Sequence, residues 1–371
     1  MNILIMNNGY LAHSVSGGTN HLFGLAEGFA VEHQVSFVAP SLAADLLPEQ
    51  TKHICYPSFI PRSVVETILV YLTRIVKASR RVRREPAEMV LTLSLLFDVI
   101  PAFVHRTVFK SSVGIFVFHL IPLRRGGSFS QKLQFFSSYV AQRMAFFFYR
   151  RADVIFPGNS QVKQQLIELG ISEERMEMQY PAVNIDGVRQ AASIPRYDVI
   201  FIGRMVARKG IYDLVDTVRD LGLRVGLIGE GEERLPLQAY IAERGLSSQF
   251  DVLGHLSIPE AYGLLKGSRC LAFPSYEEGY GIAIAEAILA GKPVITYELP
   301  HYREAFGDGP VYVPVGDKEK LRTAFQDLVA GRINECKIKG AYKSVIILDS
   351  AAAAKQVFIK MTDEIHRKGR E

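Results

Sequence analysis

The chain has 371 residues, of which 48% are hydrophobic and 22% charged, and a net charge of +5. That length suits two domains, and the composition is that of an ordinary globular protein rather than a disordered or fibrous chain. No apolar run reaches the roughly 20 residues of a bilayer span. The start, MNILIMNN, lacks the basic segment and cleavage site of a signal peptide and reads as a first strand. Cys55, Cys270 and Cys336 are too few and too scattered for a disulfide framework or a zinc site, which favours a reduced, cytosolic setting.

The charge is unevenly spread. Between residues 60 and 151 there are 15 Lys and Arg against 4 Asp and Glu, a local +11 in a chain of net +5, so the remainder carries −6. A basic stretch of this kind suits an anionic surface. No nucleic-acid-binding motif accompanies it, so nucleic acid is not the expected partner.

In chain order, NILIMN (2–7), QVSFVAP (34–40), EMVLTLS (88–94), SVGIFVFH (112–119) and ADVIFPG (152–158) are nearly continuous apolar runs. Such runs suit strands of a parallel sheet covered on both faces. Gly17 and Gly18 stand between the first strand and a helical pattern over about residues 19–31. A glycine pair there serves equally as a tight turn or as a corner where phosphate or sugar approaches backbone. Residues 62–84 have Val64, Val65, Ile68, Leu69, Leu72, Ile75 and Val76 at helical spacing, followed by Arg80, Arg81, Arg83 and Arg84. Residues 129–151 form a second, aromatic-rich helical pattern ending in Arg150 and Arg151. Either helix could cover the sheet or lie on a membrane surface with its cations at anionic headgroups.

His119 closes the strand pattern GIFVFH and is followed by Leu120, Ile121 and Pro122. Ligands of open parallel sheets sit outside the carboxyl ends of strands, which makes this histidine a candidate ligand contact rather than a structural residue, and an imidazole there could polarise a hydroxyl. After ADVIFPGNSQVKQQLIELGI (152–171) and YPAVNID (180–186), the polar stretch 187–196 with Pro195 reads as the domain boundary.

A second alternating series follows. DVIFIGR (198–204) ends in Gly203 and Arg204, and Lys209-Gly210 opens a helix five residues on, with Arg208 adjacent. Cations at such a strand end would neutralise a leaving diphosphate. In RVGLIGEG (224–231), Gly229 and Gly231 permit close approach by a nucleotide base. QFDVLGHLS (249–257) and IPEAYGLLKGS (258–268) lead to the densest stretch, PSYEEGYGIAIAEAILAGKPV (274–294). It is a strand end, the loop Glu278-Gly279-Tyr280-Gly281, and a helix over 282–290 closed by Gly291. Free amides and the helix dipole suit an anion there. Glu278 and Glu286, either solvated carboxylates or hydroxyl acceptors on the residues alone, flank the corner.

The spacing of Glu278 and Glu286 about a Gly-Tyr-Gly loop, together with Arg204 and Lys209, resembles the retaining glycosyltransferases of the GT-B architecture, family four. The resemblance covers most of residues 1–330 and is densest over 198–294. It implies an α/β fold of two doubly wound, Rossmann-like domains facing each other across a cleft: residues 1–190 on the acceptor side, 191–348 holding the nucleotide sugar, and 349–371 as a helix returning to the first domain. It also implies that Gly17 and Gly18 face the donor, that His119 and Glu278 touch the transferred sugar, that Arg204 and Lys209 meet the phosphates, and that Glu286 holds the ribose. Gly203, Gly229, Gly279, Tyr280 and Gly281 complete the donor set. The family commonly carries a glycine pair near residues 299–301, where this chain has Leu299-Pro300-His301, while Glu304 matches.

The expected partners are a UDP-, GDP- or ADP-sugar donor, with no other cofactor, a lipid-linked or saccharide acceptor, and the inner face of an anionic membrane. The chain contains no Asp-x-Asp pair, so a divalent metal is not required by the sequence. A nucleotide-sugar epimerase, a soluble-acceptor transferase and a catalytically inert lipid-binding scaffold are the alternatives. A dehydrogenase lacks its glycine fingerprint.

Overall fold

The computed structural model describes residues 1–8, 17–61, 63–120, 129–333 and 350–368, with the single positions 341 and 345. Ile121 and Pro122 behind His119, and the stretch 334–349 apart from those two positions, lie outside the described residues.

The chain divides into two compact units, one of residues 1–182 with 350–371 and one of residues 183–349. In the first, the elements run β1 (Asn2–Met6), α1 (Gly17–Ala30), β2 (Gln34–Pro40), β3 (Lys52–Tyr56), α2 (Val64–Val82), β4 (Met89–Leu93), α3 (Leu96–Phe109), β5 (Ser112–Val117), α4 (Phe129–Tyr149), β6 (Val154–Pro157) and α5 (Ser160–Glu168), with the last helix, Ser350–Lys368, returning to it. Among the described residues the strands form one six-stranded sheet in the order β3-β2-β1-β4-β5-β6, and the pairings are parallel.

Residue alternation sorts the two faces of this sheet. Ile3 and Ile5 face Leu22, Leu25 and Phe29 of α1 and Val357 and Met361 of the last helix. Leu4 and Met6 belong to the opposite core, with Ala78 and Val82 of α2, Val99 and Ala102 of α3, Ala145 and Tyr149 of α4, and Leu166 of α5. Because both faces are covered, β4, β5 and β6 are buried along their whole length and read as unbroken apolar runs.

Two features differ from the sequence expectation. Strand β3 was absent from it, because this is an edge strand whose Lys52 and His53 are exposed while Ile54 and Tyr56 point inward. In α2, the residues that reach the sheet side are Val70, Arg74, Ala78 and Val82, at a spacing of four. Five of the apolar residues singled out by spacing, Val65, Ile68, Leu69, Leu72 and Val76, are exposed instead. Ser63 begins this helix by accepting the Glu66 amide at 3.1 Å, a satisfied first turn.

The second unit comprises α6 (Ile185–Gln190), β7 (Val199–Ile202), α7 (Ile211–Val218), β8 (Val225–Ile228), α8 (Arg234–Glu243), β9 (Phe250–Gly254), α9 (Ile258–Gly267), β10 (Cys270–Phe273), α10 (Ile282–Leu289), β11 (Val294–Tyr297), α11 (Tyr302–Phe306), β12 (Val311–Val313) and α12 (Lys318–Val329). Among the described residues its strands form a second parallel six-stranded sheet, β12-β11-β10-β7-β8-β9. Each sheet therefore follows the doubly wound Rossmann order, reversing direction between its first and fourth strands. In the second unit that switch point lies between β7 and β10, where the two strands pair at Cys270 and Leu271.

Candidate functional site

The segments that follow β7 and β10 are bound together by one backbone bond and one from a side chain. Tyr276 N–H donates to the Arg208 carbonyl at 2.9 Å, and the Arg208 guanidinium donates to the Glu277 carbonyl at 3.0 Å. Gly210, with φ 67°, begins α7, and a Cβ there would lie 2.0 Å from the Pro274 carbonyl oxygen. On the other side of β7, Gly229 has φ 135°, and a Cβ on it would lie 1.9 Å from the Gly203 carbonyl oxygen. The glycine at 229, expected from ligand approach, is thus already demanded by the backbone of its neighbouring strand.

This junction sets the charged residues. Lys209 is buried, with 8% of its surface exposed, and its ammonium ion-pairs with Glu278 Oε1. Ser275 Oγ donates to the same oxygen at 3.0 Å, and the Lys209 ammonium lies 4.9 Å from the centre of the Phe273 ring. Burial pushes the Lys209 pKa below its ordinary value, opposed by Glu278 and reinforced by the charges of Arg208 and Arg204. Arg204 itself is exposed at the end of β7.

Gly281, with φ 96°, starts α10, a helix whose Ala283, Ile284, Ala285, Ala287, Ile288 and Leu289 are buried. Glu286 is the single charged residue in the helix sequence IAIAEAIL. It accepts the Tyr262 hydroxyl at 2.7 Å, and burial pushes its carboxyl up to about 7 against the opposing effect of that hydrogen bond. The Tyr280 ring is buried and packs on Phe306 with centroids 5.1 Å apart.

The loop from 275 to 281 is also tied from behind, by residues the sequence reading did not single out. Asp213 of α7 accepts the Tyr276 hydroxyl at 2.5 Å and the Tyr297 hydroxyl at 2.7 Å, and pairs with Lys318 at 2.8 Å. Burial alone would raise the Asp213 carboxyl, but the bonds from Lys318, Tyr276 and Tyr297 reverse this and hold it below the usual carboxylate range. These partners are 63 or more positions from Asp213, so no local spacing announces them.

Gly279 lies within the 275–281 loop of the second unit, and Gly17, Gly18 and His119 fall in the first unit. Gly17 and Gly18 open α1, and a Cβ on Gly18 would meet Leu93 and Phe118 side chains at 3.3 Å. His119 lies just beyond β5 and is exposed. Near the ends of β1 and β3 is a buried polar cluster that sequence spacing did not reveal. Arg74 donates to the Asn8 carbonyl at 2.7 Å, the Asn8 amide donates to Asp98 at 2.5 Å, and the Tyr56 hydroxyl donates to Asn8 at 2.6 Å. Burial pushes the Asp98 carboxyl up to about 8, partly offset by the Asn8 bonds and the Arg74 charge. Among the described residues no group of three or more His, Cys, Asp or Glu could hold a metal ion, and no helix is long and apolar enough to cross a membrane.

The model of Glycosyltransferase Family 4 matches residues 15–186, and that of Glycosyl transferases group 1 matches residues 189–343. Among curated proteins, the chain is 24% identical over 161 residues to the O-antigen chain mannosyltransferase RfbU of Salmonella typhimurium, covering 43% of this chain and 45% of that one. It is 27% identical over 191 residues to the phosphatidyl-myo-inositol mannosyltransferase of Mycobacterium leprae, covering 47% and 50%. The matches thus span half or less of the length of these relatives. The crystal structure of Anabaena HepE in complex with UDP and glucose superposes with a TM-score of 0.74 over 97% of this chain and 99% of that one, at 15% identity, a likeness of fold. With the two models matching nearly the whole chain in succession and two Rossmann-ordered sheets beneath them, this protein belongs to the family-four glycosyltransferases of the GT-B architecture.

Proposed function

We propose that the chain transfers a sugar from a nucleotide diphosphate sugar to an acceptor, with retention at the anomeric carbon and no required divalent metal. The observation that carries this reading is the buried Lys209–Glu278 pair at the joined ends of β7 and β10, beside the glycine start of α10. In it, Lys209, Arg204 and the amides about Gly279 and Gly281 meet the diphosphate, Glu278 and His119 the transferred sugar, Glu286 the ribose, and Gly17, Gly18, Gly203, Gly229 and Tyr280 complete the donor surroundings. The bond from the anomeric carbon to the phosphate oxygen breaks as an acceptor oxygen attacks from the same face. The acceptor proton passes to the departing phosphate, whose charge the two cations offset.

The donor reading is tested by thermal shift with UDP-, GDP- and ADP-sugars. A ligand at a hundred times its dissociation constant raises stability by about 2.7 kcal/mol, so the true donor stands out, and a panel in which none shifts the transition rejects the reading. Glu286 adds a pH signature. The ionised carboxylate accepts a hydroxyl more strongly than the neutral acid, and burial pushes the Glu286 carboxyl up to about 7. Donor affinity is therefore expected to weaken as pH drops below about 7, by at most about tenfold per unit for one proton. The Glu286→Gln variant is expected to lose this limb in calorimetric titrations between pH 5.5 and 8.5.

For the acceptor, the reading is a lipid-linked sugar reached from the inner face of an anionic membrane, the protein being cytoplasmic and peripheral. The names of the two mannosyltransferase relatives are compatible with surface-polysaccharide or glycolipid acceptors. The exposed apolar residues of α2 precede Arg80, Arg81, Arg83 and Arg84. On α4, Phe136, Val140, Met144 and Phe147 are exposed, and Arg143, Arg150 and Arg151 line a recess of about 440 Å³ with Phe146 and Phe147. Both helices cover the same face of the first sheet. Apolar side chains with flanking cations are what an anionic interface attracts. In vesicle flotation, Leu69→Glu with Leu72→Glu is expected to abolish binding to vesicles containing phosphatidylglycerol. Equal binding by wild type to pure phosphatidylcholine, or none to either, rejects the anionic-membrane part.

A further inference from the structure

His301 is 3% exposed, and neither ring nitrogen has a hydrogen-bond partner among the described residues. Buried polar atoms are ordinarily satisfied, and an imidazole with both nitrogens unmatched is a group still owed two bonds. Its position relates it to the donor loop. The Glu278 and Glu304 carboxylates act on it electrostatically, and its ring meets Tyr302 edge-on at 5.0 Å. The Tyr302 hydroxyl in turn lies 3.3 Å from where a Cβ on Gly281 would be, so the residue next to His301 packs against the start of α10.

We infer that His301 is a specificity-determining residue that hydrogen-bonds a hydroxyl of the transferred sugar. This rests on the donor reading above and deepens it. The choice of sugar over phosphate follows from the chemistry of the ring. Burial, the largest influence, lowers the His301 pKa below the ordinary imidazole value despite the two carboxylates, so the ring is neutral near pH 7. A neutral imidazole has one N–H donor and one acceptor nitrogen. Phosphate oxygens offer acceptors alone and would satisfy one of the two. Sugar hydroxyls both donate and accept, and satisfy both. The neighbouring Glu278 carboxylate also favours a hydroxyl over an anion at this place.

The test uses His301→Phe, which keeps a planar ring and removes both nitrogens, and His301→Gln, which keeps a donor and an acceptor. Calorimetry measures UDP, GDP and ADP against UDP-glucose, UDP-galactose, UDP-N-acetylglucosamine, GDP-mannose and ADP-glucose. His301→Phe is expected to bind the matching nucleoside diphosphate as the wild type does, while its affinity for the nucleotide sugar falls on the order of 10- to 100-fold. Preference among sugars on one nucleotide should flatten, and His301→Gln should restore most of it. Unchanged nucleotide-sugar affinity in His301→Phe overturns the inference, as does an equal loss for diphosphate and nucleotide sugar, which makes the residue structural. A wild type that binds none of the diphosphates removes the donor reading and this inference with it, an outcome distinguishable from the other two.

Discussion

Glu278→Ala is expected to lower sugar transfer by about 10²- to 10³-fold, the usual loss for one preorganised charged contact, and to destabilise the fold as well. Both effects have one origin. Lys209 and Glu278 side chains are 10% and 12% exposed, and each is the other's ion-pair partner. Removing one leaves the other charge buried without compensation, which costs about 3 kcal/mol. Lys209→Met combined with Glu278→Leu removes both charges and fills the space with apolar atoms, a change that is often neutral or stabilising. The double variant should therefore melt near the wild-type temperature and yet transfer no sugar. Recovery of activity along with stability would show that the pair only holds the fold and takes no part in transfer. Chemical denaturation and a donor-turnover assay separate the two quantities.

Gly229→Ala is expected to destabilise the second unit by about 3–5 kcal/mol, from left-handed strain together with overpacking. Its Cβ would stand 1.9 Å from the Gly203 carbonyl oxygen, backbone that belongs to the β7 end and cannot rotate away. Gly210→Ala meets the Pro274 carbonyl oxygen at 2.0 Å and should behave alike. Gly222→Ala is the informative control. It shares a positive φ, 66°, but nothing lies within 4 Å of its Cβ, so it should lose only the strain, about 1 kcal/mol. A Gly229→Ala protein as stable as Gly222→Ala would mean that β7 and β8 can separate at their ends.

Amphipathic spacing located α2 and its arginines without saying which way the helix turns. Val65, Leu69 and Leu72 are apolar, and spacing alone gives them either to the core or to the outside. The sheet instead receives Val70, Arg74, Ala78 and Val82, because Arg74 finds the Asn8 carbonyl at 2.7 Å and Ser58 at 2.9 Å. A buried arginine is not predictable from its own surroundings in sequence, since its partners are 66 and 16 positions away. Strand β3 was missed for a related reason. An edge strand pairs on one side only, so a short segment with two inward side chains suffices, and KHICY lacks the continuous apolar run that marked its neighbours.

By itself the sequence determined the alternation of strands and helices, the Rossmann class of both units, and the glycine-flanked loop between β10 and α10. These are properties of segments: apolar runs set by two-sided burial, and turns set by residues that tolerate positive φ. The tertiary structure alone decided that Lys209 closes on Glu278 across 69 positions, that Tyr262 holds Glu286, that Asp213 gathers Tyr276, Tyr297 and Lys318 behind the loop, and that both nitrogens of His301 are left without partners among the described residues. The first depends on two parallel strands meeting at a switch point and the others on helices and loops folded onto the same sheet, so each partner is set by the tertiary fold and none by a neighbour in sequence.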